Sequence, residues 1–271
     1  MDILDFVLER NRECLIRFGI TDFNHQLFFF RQVLEKIGAE QISRWRELLL
    51  EPVYWPPISL GPTDEYWGWK VRPNGWYFGT ALSGSLFRRD EQGNVCKNPT
   101  PWILQGGVYL VDTRQKPNLQ TEGGHMWLKD ENFLGAQMAD IRRNYPPSSR
   151  KRFSPGSRFC INRHILRDIK LLLAQSPEFR TVKYWRSESA SEFNFIAQSF
   201  PFMLRRWDGE TDTDVLFDDV DFGGGGGNNY LIGGSCDQGG LANIHRCFVE
   251  RLGHLYLSLR LLGVLELEIQ T

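Results

Sequence analysis

Ile232-Gly233-Gly234-Ser235-Cys236-Asp237-Gln238-Gly239-Gly240-Leu241-Ala242-Asn243-Ile244-His245, closed by Leu257-Ser258-Leu259-Arg260-Leu261-Leu262, is the stretch whose reading decides the fold. An acidic run, Asp208 to Asp221, and a glycine tract, Gly223 to Gly227, lead into it. Leu231-Ile232 is an apolar pair amid glycine-rich loop, and Leu261 to Leu265 reads as a final apolar strand. Between them lies Asn243-Ile244-His245-Arg246-Cys247-Phe248-Val249, followed by Leu252, His254 and Tyr256. This mixture has neither a clean helical nor a clean strand period.

The same stretch fails the tests for chemistry. It contains neither Gly-x-x-x-x-Gly-Lys-Ser/Thr nor a strand-anchored Gly-x-Gly-x-x-Gly, so its glycines do not spell a phosphate cradle. Gly233-Gly234-Ser235-Cys236-Asp237 departs from the Gly-x-Ser-x-Gly nucleophile elbow, because Asp237 stands where the last glycine belongs. A thiolate–imidazole pair of Cys236 with His245 or His254, oriented by Asn243 or Asp237, is the one catalytic arrangement the residue types allow. Asp208, Glu210, Asp212, Asp214 and Asp219 alternate like the ligands of a hard cation, for which calcium is the candidate. Thr213 stands where an EF-hand loop needs glycine, and a solvated acidic turn is the plainer reading.

Upstream, apolar residues at Ile3, Phe6, Val7, Cys14, Leu15 and Phe18 predict a helix over 2–19 that stops at Gly19. A second helix, capped by Thr21 or Asp22, runs through Leu34 and Ile37 to Gly38, and a third covers about Glu40 to Leu50. Pro52, Pro56, Pro57 and Pro62 then break the chain, and the composition turns to Trp, Tyr, Gly and Thr. Residues 66–112 read as antiparallel strands, Tyr66 to Val71, Trp76 to Phe87 and Trp102 to Val111, joined by turns at Pro73-Asn74-Gly75 and Asp90 to Asn94. Asp130 to Tyr145 and Asn162 to Ala174 read as helices, and Thr181 to Trp185 and Phe193 to Ser199 as strands. Residues 208–240 read as loop with one short strand around Val215 to Phe217. The fold class is therefore α+β, with a helical N-terminal segment at 1–54 and a second domain at 55–271.

Composition limits the partners. With 32 Lys and Arg against 33 Asp and Glu in 271 residues, the chain has no general electrostatic attraction for nucleic acid or an anionic membrane. The basic cluster Arg142, Arg143, Arg150, Lys151, Arg152 and Arg158, interleaved with Pro146 and Pro147, reads as a solvated loop. Cys14, Cys96, Cys160, Cys236 and Cys247 form no Cys-x-x-Cys pair and no disulfide framework. The N-terminus lacks the basic and apolar regions of a signal peptide, which implies a cytoplasmic protein or one carried on a virion or other particle. Trp55, Trp67, Trp69, Trp76 and Trp102 offer indoles that stack on sugars, although their large apolar area suits a core better.

Three features resemble the variable proteins of diversity-generating retroelements, which have a C-type lectin fold of the formylglycine-generating-enzyme type. They are Gly233-Gly234-Ser235 after Leu231-Ile232, the strand Gly239 to Ile244, and Leu257-Ser258-Leu259-Arg260 entering Leu261 to Leu265. The likeness covers about residues 220–265; Cys236 replaces the family's usual Trp, and Ser258-Leu259 its Gly-Phe. In that family the final segment is rewritten at adenines, chiefly in AAY codons, which cannot become Lys, Gln, Glu, Met or Trp codons. Residues 229–262 contain no Lys, Met or Trp, one Gln and one Glu.

The resemblance implies a non-enzymatic protein that binds a protein or glycan on a host or partner surface through a variable region at about 229–262. It implies a displayed set of Cys236, Asp237, Asn243, His245, Arg246, Phe248, Arg251, His254 and Tyr256. Ile244, Leu257, Leu259 and Leu261 then face inward and Arg260 belongs to the framework. The rival expectation is an enzyme of the same fold class, a formylglycine-generating-type oxidase or a Cys–His hydrolase, using Cys236 and His245.

Overall fold

A computed structural model of the chain describes residues 2–17, 20–60, 65–66, 69–70, 77–78, 102–113, 167–189, 192–193, 195–196, 200, 205–206, 214–221, 229–236, 242–248, 257–258 and 261–266. Three helices come first: α1 (Ile3–Arg17), α2 (Asn24–Ile37) and α3 (Ala39–Glu47). They bury the apolar stripes that the 3.6-residue period implies, among them Leu4, Val7 and Leu15, then Phe30, Val33 and Leu34, then Ile42 and Trp45.

Their ends differ from expectation. Neither Thr21 nor Asp22 caps α2: Phe23 holds the cap position, makes no side-chain cap hydrogen bond and is buried. A cap contributes about 1 kcal/mol, less than the roughly 1.5–3 kcal/mol from burying a phenylalanine. Gly38 joins α2 to α3 at φ 91°, donating its N–H to Leu34 O and accepting from Ile42 N–H. That backbone conformation is open almost only to glycine, while a Cβ there would meet nothing within 4 Å. Gly38→Ala is therefore expected to cost about 1–2 kcal/mol from backbone strain alone, read as a lower midpoint in urea; an unchanged midpoint would show that the junction relaxes.

The strands are β1 (Leu50–Trp55), β2 (Ile58–Leu60), β3 (Glu65–Tyr66), β4 (Trp69–Lys70), β5 (Tyr77–Phe78), β6 (Trp102–Leu104) and β7 (Gly107–Asp112). After helix α4 at 167–175 and a 3-10 turn at Pro177–Phe179 come β8 (Tyr184–Ser187), β9 (Arg205–Arg206), β10 (Asp214–Asp221), β11 (Asn229–Cys236), β12 (Ala242–Phe248), β13 (Leu257–Ser258) and β14 (Leu261–Glu266). One sheet is antiparallel in the order β1-β7-β14-β8; another runs β13-β10-β11-β12-β5, with β9 beside β11. The described residues thus form an α+β structure.

The third helix ends at Glu47, and Pro52 does not break the chain but lies within β1. Thr113 N–H donates to Leu49 O, so residues 50, 52 and 54 of β1 turn their main-chain groups away from β7. Proline at position 52 therefore removes an N–H that the ladder does not use and blunts the sheet edge. On the same edge Asn11 of α1 donates to Tyr54 O at 2.9 Å.

The expected division after residue 54 falls inside this strand. The helices and the sheet share one core, in which Trp45, Phe30 and Leu34 join Leu50, Tyr54, Leu110 and Leu261. On the opposite face Trp55 stacks on Tyr109 at 4.1 Å, with Phe195 5.3 Å away.

Trp102 to Val111 is two strands, separated at Gln105-Gly106. β6 pairs with β2 and β7 with β1, so the ribbon bends where Pro56-Pro57 meets Gly106; a Cβ on Gly106 would lie 2.4 Å from Pro57 Cδ. Tyr66 to Val71 is likewise not one strand, since β3 pairs with β4. Thr181 to Trp185 shifts to β8, Tyr184–Ser187. The strand expected at Phe193 to Ser199 is helical at 192–193 and 195–196. A reciprocal cap explains it: Glu192 N–H donates to Ser189 Oγ at 3.1 Å and Ser189 N–H to Glu192 Oε2 at 2.8 Å. Asp130 to Tyr145, the basic cluster of 142–158 and the tract Gly223 to Gly227 lie outside the described residues.

Candidate functional site

The loop-rich reading of 208–240 gives way to two eight-residue strands, β10 and β11. β11 pairs antiparallel with β12, matching Asn229 to Phe248, Leu231 to Arg246, Ile232 to His245 and Gly233 to Ile244. The ladder slips between Gly233 and Cys236, where Cys236 meets Ala242, so Gly234-Ser235 carry a bulge. β12 pairs on its other side with β5, matching Ile244 to Phe78 and His245 to Tyr77. Main-chain hydrogen bonds therefore order β12 on both sides.

Of the expected displayed set, Cys236 ends β11, and Asn243, His245, Arg246 and Phe248 lie along β12. Asp237, Arg251, His254 and Tyr256 fall outside the described residues. Ile244 is in β12, Leu257 in β13 and Leu261 in β14, where Leu261 is buried as expected; Leu259 and Arg260 are outside. Cys236 sits opposite Ala242, three residues from His245, which is about 10 Å of strand. The register thus does not bring these two positions together as a thiolate–imidazole pair requires.

Asp208, Glu210 and Asp212 also lie outside the described residues. Asp214 begins β10 opposite Leu257, and Asp219 falls in the irregular stretch between Leu216 and Val220. Among the described residues no group of three or more His, Cys, Asp or Glu is placed to hold a metal ion. No described helix is long and apolar enough to cross a membrane. Trp55 is fully buried and donates Nε1–H to Gln105 O at 2.9 Å, which makes it core rather than a sugar platform.

Two buried ion clusters were not legible as sites. Glu51, 6 % exposed, faces Arg10 of α1 at 3.1 Å and Arg46 of α3 at 3.5 Å. Burial pushes its carboxyl above the ordinary range, opposed by the charges of Arg10 and Arg46. Arg10 lies 4.4 Å from the Phe200 ring centroid, and Arg46 4.2 Å from that of Phe6. The cavity beside Glu51, lined by Arg10, Asn11, Cys14 and Phe200, is about 10 Å³, room for a water but not a substrate.

In the second cluster Arg186 pairs through both terminal nitrogens with Glu192, at 2.6 Å for Nη1. Burial works against the Arg186 charge, but the Glu192 hydrogen bonds and charge outweigh it and raise its pKa. The signal for this cluster was Ser189-Ala190-Ser191-Glu192, a capping-box pattern just after a strand. Both clusters join secondary elements and are structural in character.

No family model, curated protein or solved structure matches this chain.

Proposed function

We propose that this chain is a non-enzymatic ligand-binding protein of C-type lectin-like architecture whose surface within residues 229–262 is diversified to recognise a protein or glycan. The observation that carries the reading is the main-chain ladder of β12, held between β11 and β5, while β14 at the end of the window is anchored in the other sheet between β7 and β8. A backbone ordered in this way tolerates exchange of side chains that do not pack, which is the requirement for a variable recognition surface. The lectin-like unit proposed for 55–271 begins, on this reading, within β1. Calcium at the acidic run Asp208 to Asp219 is a separate proposal that the recognition reading does not need.

The DNA downstream of the gene tests it. A near-copy of the codons for 229–262, differing only where the copy has adenine and lying beside a reverse transcriptase gene, is expected; a complete genome without such a copy overturns the reading. At the protein level, Asn243→Ala and His245→Ala are each expected to change stability by no more than about 0.5 kcal/mol in urea melts. A substantially larger loss at either position assigns it to packing and removes it from the displayed set.

A further inference from the structure

An edge strand has main-chain groups that its own sheet does not pair, and β1 is an edge of the four-stranded sheet. The register with β7 uses the main-chain groups of residues 51, 53 and 55, so Pro52 O and Tyr54 O face outward. Asn11 of α1 lies against this edge. Its Nδ2 donates to Tyr54 O at 2.9 Å, which fixes the orientation of the amide and leaves Oδ1 as a pure acceptor. Asn11 is 4 % exposed, and among the described residues no group donates to that oxygen. An acceptor buried without a donor is destabilising, and native structures as a rule supply one. Asn11 also lines the cavity of about 10 Å³ between α1 and β1, together with Arg10 and Pro52. Tyr54, which takes the Nδ2 hydrogen bond, does not line it, so Oδ1 is the amide atom turned toward this space.

The chemistry of the walls selects the occupant. A simple anion such as chloride has no proton to offer Oδ1. A cation meets Arg10 in the wall, within a cluster where the guanidinium groups of Arg10 and Arg46 face the single carboxylate of Glu51. The volume excludes anything much larger than water. We propose that this cavity is a binding site for one water molecule, which donates to Asn11 Oδ1 and to Pro52 O and accepts from an Arg10 N–H other than the one given to Glu51. Three partners is the usual number for a buried water. Helix α1 thereby engages two outward carbonyls of β1, Tyr54 O through the Asn11 side chain and Pro52 O through the water that the same side chain holds. The proposal is independent of the recognition function.

Two measurements on the full chain test the site. Magnetic relaxation dispersion of the water signal counts the long-lived internal waters of the unaltered protein and of Asn11→Leu, whose two methyl groups replace the amide nitrogen and oxygen in nearly the same shape. The count is expected to fall by one in the variant, and an unchanged count overturns the proposal. A crystal structure of the unaltered protein does not depend on how the variant folds. It is expected to show one water within about 3.0 Å of both Asn11 Oδ1 and Pro52 O. A dry cavity, an ion in it, or a protein donor on Oδ1 overturns the proposal.

Discussion

Trp45→Ala is expected to destabilise the helices and the four-stranded sheet together, by about 3–5 kcal/mol, in a single unfolding transition. Trp45 is completely buried in α3, and its Nε1–H donates to Glu178 O at 3.1 Å in the turn that follows α4. Replacement by alanine leaves a cavity in the shared core and orphans the Glu178 carbonyl. Trp45→Phe keeps most of the ring volume and loses the hydrogen bond, so its expected cost is smaller, roughly 1–2 kcal/mol. Circular dichroism at 222 nm and fluorescence of the remaining tryptophans, followed through one urea titration, read both parts of the molecule. Coincident midpoints, both shifted, are the expected result. A shift confined to the helical signal would show that residues 1–54 unfold by themselves, as a division at 54 implies.

Pro52 illustrates where local reading stopped. The first opening helix was legible because Ile3, Phe6, Val7, Cys14 and Leu15 follow a helical spacing, and spacing is a local property. β1 was hidden by Pro52, a residue read as a breaker. Only the register with β7 reveals that its missing N–H lies on an edge that needs no donor. Phe193, Phe195 and Ile196 imitated strand alternation, and the overlooked evidence was the reciprocal Ser189–Glu192 cap.

β10 was read as three residues instead of eight because Asp214, Asp218, Asp219 and Asp221 lower the apolar content that marks a strand. For the candidate site, the strand character of 242–244 was legible, but the membership of each face was not. No strand period is legible at His245 and Arg246; pairing with β11 and β5 places both within β12, where alternation sets adjacent positions on opposite faces. The placement of β14 between β7 and β8 is non-local, with strand partners more than 70 residues away.

Arg10→Met should cost about 3 kcal/mol at neutral pH, because it leaves the Glu51 carboxylate buried with one counter-charge fewer. Arg46 remains 3.5 Å from Glu51, which places the loss at the low end for a broken buried pair. Methionine keeps apolar contact with the Phe200 ring, so the change isolates the charge. In the native protein burial already raises the Glu51 pKa, and Arg10 and Arg46 hold part of that rise back. Removing Arg10 raises it further.

A carboxyl whose folded pKa lies above its unfolded value favours the folded state fully below the unfolded pKa and loses that contribution as pH rises through the folded pKa. The Arg10→Met penalty is therefore greatest at neutral pH and shrinks as pH falls into the carboxylate range, where Glu51 takes up a proton within the fold. Glu51→Gln in the same background is expected to restore most of the neutral-pH loss and to remove this pH dependence. Urea midpoints of the single and double variants between pH 4 and pH 8 measure all three effects. A penalty independent of pH would mean that Arg10 acts through its packing on Phe200, and that the charge of Glu51 is balanced by Arg46 alone.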